Sequence, residues 1–182
     1  MIFPIVLYGS PVLKKKAATI ERGDEFLGKL VESMFETMYE AQGVGLAAPQ
    51  ISHSVRLFVV DTTPIEEEGI DGLKKVFINP LMIEELGEEW AFEEGCLSIP
   101  GIRANVNRKA GIRIKYYDEN WGEYEDHFYG IKARVIQHEY DHIEGKLFTD
   151  YLTPLKKRLI KGRLADISKG KVDVNYRVKA PK

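Results

Sequence analysis

Two histidines four residues apart constrain the fold of this 182-residue chain more than any other feature. His138 and His142 belong to a helical pattern that runs from about Ile131 to Ile143, between two glycines. Side chains four positions apart project from one face of a helix, so both imidazoles can reach a single divalent ion, while Glu139 can reach water beside it. The segment therefore predicts a metal site on a helix. A chance pairing of two surface histidines is the alternative.

A metal site of this kind needs a third ligand, and the residues downstream do not supply one. In one common extension of H-E-x-x-H, a glycine and a third histidine follow; here Gly145 is in place, but Phe148 occupies the histidine position. After Glu144 the remaining 38 residues contain no glutamate and three aspartates. The third ligand is therefore expected upstream.

Three upstream residues are candidates for that ligand: Cys96, His127 and His53. Cys96 is favoured because it lies in a short segment, E-G-C-L-S at 94–98, placed where a strand should turn. A buried, inert cysteine is the alternative, since a free cysteine often behaves as a small apolar residue. For the two histidines, ordinary polar side chains are the expected interpretation.

The sequence G-V-G-L-A-A-P-Q at 43–50 is a third notable segment. Two glycines and two alanines allow the backbone to approach another group closely. A simple loop that ends a helix is the alternative.

Periodicity along the chain predicts an α+β fold. Apolar residues at steps of three and four predict an N-terminal helix over 24–42, with Asp24 as N-cap and Gly43 past its end. Short β-rich runs predict strands at Val55–Asp61, Lys75–Asn79, Met82–Leu86 and Gly111–Tyr117, and residues 62–74 are predicted to be a loop. Thr153 and Pro154 predict the start of a third helix that ends near Gly170, and alternation over 172–178 predicts a weak strand or a loose tail. The expected architecture is short, mostly antiparallel sheets packed around a central helix carrying H-E-x-x-H, with an N-terminal helix and a basic C-terminal helix.

Composition predicts one globular domain over 1–182, in which 154–182 form the basic helix and tail. Apolar residues make up 44% and charged residues 30%, and no stretch has the length of a membrane span or the flanks of a signal peptide, so a cytoplasmic location without membrane contact is expected. The net charge of −2 is uneven: residues 155–182 contain ten Lys or Arg and two Asp. A run of glutamates is expected to be a solvated face; its members are Glu84, Glu85, Glu88, Glu89, Glu93 and Glu94.

Taken together, the motifs at 43–50 and 94–98, with Q-H-E-Y-D-H at 137–142, resemble those of the peptide deformylase family. The resemblance extends from Pro11 to the basic C-terminal helix. It implies a hydrolase that removes the N-formyl group from the initiator methionine of new polypeptides and releases formate.

The resemblance also implies a role for individual residues. Cys96, His138 and His142 would hold the divalent metal, and Glu139 would act as acid and base. The side-chain amide of Gln50 and the backbone N–H of Leu97 would stabilise the oxyanion.

Substrate contacts follow from the same comparison and from the helix face. Val44, Ile131 and Val135 are expected to line an apolar pocket for the methionine side chain, with plain core packing as the alternative. Gly45 is expected to pair with the peptide backbone, and Arg103 to lie near it unless it is an ordinary surface arginine. Glu94 and Arg108 are expected to form an ion pair that holds the metal loop.

The resemblance implies Fe²⁺ as the metal in the cell, with Zn²⁺, Ni²⁺ or Co²⁺ able to substitute. N-formylmethionyl nascent peptides are the expected partners of a monomeric enzyme. The basic C-terminal helix is expected to contact the ribosome, with a merely solvated helix as the alternative. Two other functions stay open at this point: a zinc endopeptidase and a non-enzymatic metal- or RNA-binding module.

Overall fold

The computed structural model describes residues 1–182, which form an α+β fold. The helices are α1 (Leu27–Glu40), α2 (Gly130–Ile143) and α3 (Pro154–Ser168). The strands are β1 (Ile5–Val6), β2 (Gly45–Ala47), β3 (Leu57–Asp61), β4 (Lys74–Cys96), β5 (Ile99–Tyr117), β6 (Glu123–Tyr129) and β7 (Val178–Lys179). The predicted class, α+β with mostly antiparallel sheet, is confirmed. None of the helices combines the length and the apolar character needed to cross a membrane.

The main sheet is wholly antiparallel, with strand order β2-β3-β4-β5-β6. The prediction of short strands is wrong for β4 and β5, which are 23 and 19 residues long. Pro80 and Gly87 look like breaks in the sequence, but each lies where the register between β4 and β5 shifts. Such a bulge absorbs an extra residue and bends the strand without ending it. The runs predicted separately at Lys75–Asn79 and Met82–Leu86 are therefore parts of one strand.

Helix α1 starts at Leu27, two residues later than an N-cap at Asp24 predicts. The Oδ1 atom of Asp24 accepts a hydrogen bond from the N–H of Phe26 at 2.9 Å, and its carbonyl accepts one from the N–H of Leu27 at 3.2 Å. Asp24 thus forms a turn ahead of the helix, and the prediction that it caps α1 is wrong. At the other end, Gln42 adopts a left-handed conformation with φ of 55°, which prevents the helix from continuing.

The other two helices lie close to their predicted bounds. In α3 the hydroxyl oxygen of Thr153 accepts a hydrogen bond from the N–H of Lys156 at 3.3 Å, with Pro154 at the first helical position. Beyond α3 the tail returns to the body of the protein, where Val178 pairs with Ile5 in a parallel two-stranded sheet. The predicted alternation over 172–178 is present as half-buried residues between exposed ones, although regular strand is confined to Val178–Lys179.

Helix α2 packs against the main sheet. Its fully buried Ile136 and Ile143 belong to the same apolar cluster as Phe58 of β3, Phe77 of β4 and Ile112 of β5. Burial of each such side chain stabilises the fold by about 2 kcal/mol. The sheet therefore fixes the rotation of α2, and with it the direction of the two histidines.

Candidate metal centre and active site

The structure brings Cys96, His138 and His142 together from two distant parts of the chain. The histidines lie one turn apart on α2, and Cys96 is the last residue of β4, at a tight turn into β5 where it pairs with Ile99. The Sγ atom of Cys96 lies 3.5 Å from Nε2 of His142, and one donor atom from each of the three residues falls within 4.8 Å of the others. One thiolate and two imidazoles form a donor set that suits a divalent transition metal.

The other two candidates for a third ligand lie elsewhere. His127 is exposed on β6, the edge strand of the sheet. The Nδ1 atom of His53 lies 3.0 Å from the carbonyl oxygen of Ile51, and its ring packs edge-on against Phe3. Neither belongs to the cluster of potential ligands.

Glu94 orients His138 for ligation. An ionised carboxylate only accepts hydrogen bonds, so the 2.8 Å contact between Oε1 of Glu94 and Nδ1 of His138 places the imidazole proton on Nδ1. The Nε2 atom is then free to bind a metal, an arrangement common to histidine ligands. Burial alone would raise the pKa of Glu94, but hydrogen bonds from His138 and Arg108 outweigh it and lower that pKa to about 2. Glu94 is therefore a carboxylate throughout the neutral range.

The expected pair of Glu94 and Arg108 is present and fully buried. Nε and Nη2 of Arg108 donate to the two carboxylate oxygens of Glu94 at 2.8 and 3.1 Å. Nη1 of Arg108 donates to Asp141 at 2.8 Å, and Asp141 also accepts from the hydroxyl of Tyr151 at 2.8 Å. The other five glutamates of the acidic run are exposed, as predicted, so Glu94 is the exception among them.

Arg134 is a functional residue that sequence reasoning missed. It is the largest fully buried side chain of the protein, and it donates to Glu94 at 3.0 Å and to the carbonyls of Val106 and Trp90 at 2.8 and 2.6 Å. Arg134 lies one helical turn before His138, so its spacing from the metal ligands was a signal for a role beside them.

The carboxyl group of Glu139 is buried beside the candidate metal ligands. Burial raises its pKa to about 7, and Oε2 has no hydrogen-bond partner in the protein. A carboxyl group with these properties can both accept and release a proton near neutral pH. A buried oxygen without a partner also marks the place for a water molecule or a substrate atom.

Gln50 and Leu97 lie next to Cys96. The side-chain nitrogen of Gln50 lies 3.2 Å from the hydroxyl of Ser98 and 3.5 Å from Sγ of Cys96, while its oxygen accepts the N–H of Ala47 at 2.9 Å. This last bond leaves the amide N–H groups directed toward the ligands. The N–H of Leu97 makes no hydrogen bond within the protein and is free to donate.

A cavity of about 670 Å³ opens onto these groups. All five residues predicted to bind substrate line it, together with Gln50, Glu94, Cys96, Leu97, His138 and Glu139; the five are Val44, Gly45, Arg103, Ile131 and Val135. Arg103 is mostly exposed and pairs with Glu93 at 3.1 Å, so it lies at the rim. The C-terminal tail also lines the cavity, with Asp173, Val174 and Tyr176, which the sequence did not predict.

Comparison with known proteins agrees with this geometry. A sequence model of the polypeptide deformylase family matches residues 2–158. The peptide deformylase of Cytophaga hutchinsonii is 57% identical over 181 residues, covering 100% of this chain and 98% of its own, and that of Christiangramia forsetii is 55% identical, covering 100% and 97%. Among solved structures, a peptide deformylase from Legionella pneumophila has a TM-score of 0.83 at 38% identity, covering 94% of this chain and 98% of its own.

Proposed function

The chain belongs to the peptide deformylase family, whose members remove the formyl group from new polypeptides by hydrolysis, and we propose how its residues carry out that reaction. The observation that carries the proposal is a single cavity lined by Cys96, His138 and the buried Glu139, with a ligand atom of His142 within 4.8 Å of those of Cys96 and His138. Family membership also argues against the two other functions considered from the sequence, a zinc endopeptidase and a non-enzymatic binding module. The substrate is N-formylmethionine at the start of a new chain, and the products are formate and a free amino terminus.

The residues fit a divalent metal ion. His138 is held by Glu94 with Nε2 free, and burial lowers the pKa of His142, which keeps its ring in the neutral form that ligates. An ion held by Cys96, His138 and His142 supplies Lewis acidity and lowers the pKa of water beside it. We propose Fe²⁺ in the cell, with Zn²⁺, Ni²⁺ or Co²⁺ able to substitute, because a mixed sulfur and nitrogen donor set accepts all four ions and occupancy then follows supply.

Glu139 moves the proton of the reaction. As a carboxylate it takes a proton from the water molecule whose oxygen adds to the formyl carbon. The carbon–nitrogen bond then breaks, and Glu139 passes the proton to the departing amine. Its pKa of about 7 makes both steps accessible near neutral pH.

Gln50 and Leu97 stabilise the charge that develops on the formyl oxygen. Both present N–H groups beside Cys96, and a hydrogen-bond donor at such a position is worth about 3 kcal/mol in other enzymes. The bond from Ala47 to Gln50 fixes the amide before substrate arrives, so the cost of orienting it is met during folding.

The apolar residues of the cavity select the methionine side chain. Val44, Ile131 and Val135 line the cavity near Glu139, and an unbranched thioether can fill the space between branched side chains. Backbone groups of Gly45 lie on β2, where an extended peptide can pair with them. Arg103 at the rim is placed to contact the peptide backbone beyond methionine.

We propose that the chain acts as a monomeric, single catalytic domain in the cytoplasm, where formylated chains are made. Exposed basic residues on α3, including Lys156, Lys157, Arg158 and Lys161, support contact with ribosomal RNA. Replacing these four by glutamate should abolish co-sedimentation with ribosomes at low salt. Unchanged binding by that variant would refute the contact.

The central experiment compares a formyl-methionyl peptide with its unformylated twin, using purified protein whose metal content is measured. Formate release from the first and no cleavage of the second are expected. Glu139→Gln should lower turnover about 10³-fold, the size of a general acid–base contribution, with unchanged metal content. Glu89→Gln, at an exposed position of β4, is the matched control and should leave turnover unchanged. Full turnover by Glu139→Gln would refute the role of the carboxyl group.

A further inference from the structure

The C-terminal tail reaches the active site although it lies beyond residue 158, where the match to the family sequence model ends. After α3 the chain turns back, and Val172, Val178 and Ala180 pack against an apolar cluster that includes Ile99 and Ile102 of β5. The parallel pairing of Val178 with Ile5 secures the end of the tail. The tail is therefore a fixed part of the fold over these residues.

Tyr176 links this tail to the turn that follows Cys96. Its hydroxyl donates a hydrogen bond to the carbonyl oxygen of Leu97 at 2.8 Å, across 79 residues of sequence. Its ring is half-buried against the apolar cluster beneath α1 and also lines the cavity. One side chain thus contacts both the core and the metal loop.

The loop from Cys96 to Ser98 is held by few other groups. The carbonyl of Ser98 accepts the N–H of Tyr8 at 2.8 Å, and the hydroxyl of Ser98 accepts a bond from Gln50. The carbonyl of Leu97 has Tyr176 as its hydrogen-bond donor. This carbonyl shares its planar peptide unit with the N–H of Ser98, and the Leu97 N–H belongs to the preceding unit. The pairing of Cys96 with Ile99 closes the turn around both units, so fixing the carbonyl restricts ψ of Leu97 and, through it, the orientation of the unit that carries the Leu97 N–H.

We propose that Tyr176 is a positioning residue of the deformylase reaction, which holds Leu97 so that its free N–H stays directed into the cavity. This inference rests on the proposed role of the Leu97 N–H as an oxyanion donor. Asp173 and Val174 of the same tail complete the wall of the cavity. The catalytic unit of this chain thereby extends about twenty residues past the end of the family-model match.

The test replaces one hydroxyl group. Tyr176→Phe keeps the ring and its packing, and is expected to lower kcat about tenfold with KM within twofold of wild type and unchanged metal content. Removing an oxyanion donor outright costs about 10²-fold to 10³-fold in kcat, so misdirecting it should cost less. The NMR order parameter of the Leu97 N–H, measured on the zinc form and without turnover, should fall.

Tyr116→Phe is the matched control, because the hydroxyl of Tyr116 also donates one bond, to Asp126 at 2.6 Å, and lies outside the cavity. It should change neither kcat nor the order parameter of the Leu97 N–H. A second variant ending at Gly170 removes the cavity wall as well, so its KM should rise in addition to the fall in kcat.

Three results would overturn the inference: an unchanged order parameter of the Leu97 N–H in Tyr176→Phe, a lower order parameter with unchanged kcat, or an equal loss of kcat in Tyr116→Phe. Failure of the proposed chemistry is distinguishable from these. A metal-loaded wild-type protein that released no formate would refute the proposed function, and the order parameters of wild type and Tyr176→Phe would still decide whether Tyr176 holds Leu97.

Discussion

Replacing Gly45 with alanine should disable the enzyme by displacing Glu139. A Cβ atom built on Gly45 would lie 2.4 Å from Oε1 of Glu139 and 2.8 Å from its Cδ and Cγ. Ordinary carbon–oxygen contacts begin near 3.4 Å, so the carboxyl group would have to move by about 1 Å. A misplacement of that size at a catalytic group costs about 100-fold in rate. We therefore expect kcat/KM of Gly45→Ala to fall about 100-fold.

Formate release and metal content measured on the same preparation would test this prediction. Metal content should stay at the wild-type level, because the three atoms nearest the added methyl group all belong to Glu139 and not to a ligand. Gly28→Ala is the matched control: it lies in α1, a Cβ there meets nothing within 4 Å, and the change should stabilise the helix by up to about 1 kcal/mol with unchanged activity. A Gly45→Ala enzyme within a few-fold of wild type would refute the steric argument.

Two further predictions concern charged groups. Arg108→Ala should destabilise the fold by about 3–5 kcal/mol and lower turnover, because it leaves the buried carboxylate of Glu94 short of partners. Arg113→Ala on the same strand breaks a partly exposed pair and should cost less than about 1 kcal/mol. Equal unfolding free energies of the two variants in urea, or unchanged turnover and metal content in Arg108→Ala, would contradict this prediction. Burial alone would raise the pKa of Asp61, but hydrogen bonds from Tyr39 and Thr63 outweigh it and lower that pKa. The stabilisation that ionised Asp61 gives the folded state is therefore present above the ordinary pKa near 4, and it is lost as pH falls through the lower pKa of the folded state. Tyr39→Phe should therefore lower the unfolding free energy by about 1 kcal/mol at pH 7 and by less at pH 3, and a cost that grew toward acid would disprove the linkage.

Local patterns predicted the parts of the site that one helix or one turn contains. The spacing of His138 and His142 needs only helical geometry, and Thr153 with Pro154 needs only the rules of helix starts. The long strands could not be predicted in the same way. Pro80 and Gly87 are ordinary break signals, and only pairing with β5 converts them into bulges. Likewise, Asp24 has the right chemistry for a cap, but the turn that it forms delays the helix.

The residues that sequence reasoning missed depend on contacts between distant segments. Tyr176 meets Leu97 across 79 residues, a separation at which no periodic pattern is informative. In the sequence, Arg134 resembles a solvent-exposed helix residue, because a lone arginine is seldom buried. It is buried because Glu94 and two backbone carbonyls, from strands that are themselves far away in sequence, accept its hydrogen bonds.

The charges around His138 explain why a second arginine, Arg134, is buried beside Arg108. Glu94 and Asp141 are two carboxylates within hydrogen-bonding reach of Arg108, and a single guanidinium would leave this buried group with a net negative charge. Excess negative charge would favour a protonated His138, which cannot bind a metal. Arg134 contributes the second positive charge and balances the cluster. Even so, burial, which lowers the pKa of His138, is outweighed by its contacts with Cys96 and Glu94, which raise that pKa. A metal ion would therefore compete with a proton for Nε2 of His138 while Nδ1 stays bonded to Glu94.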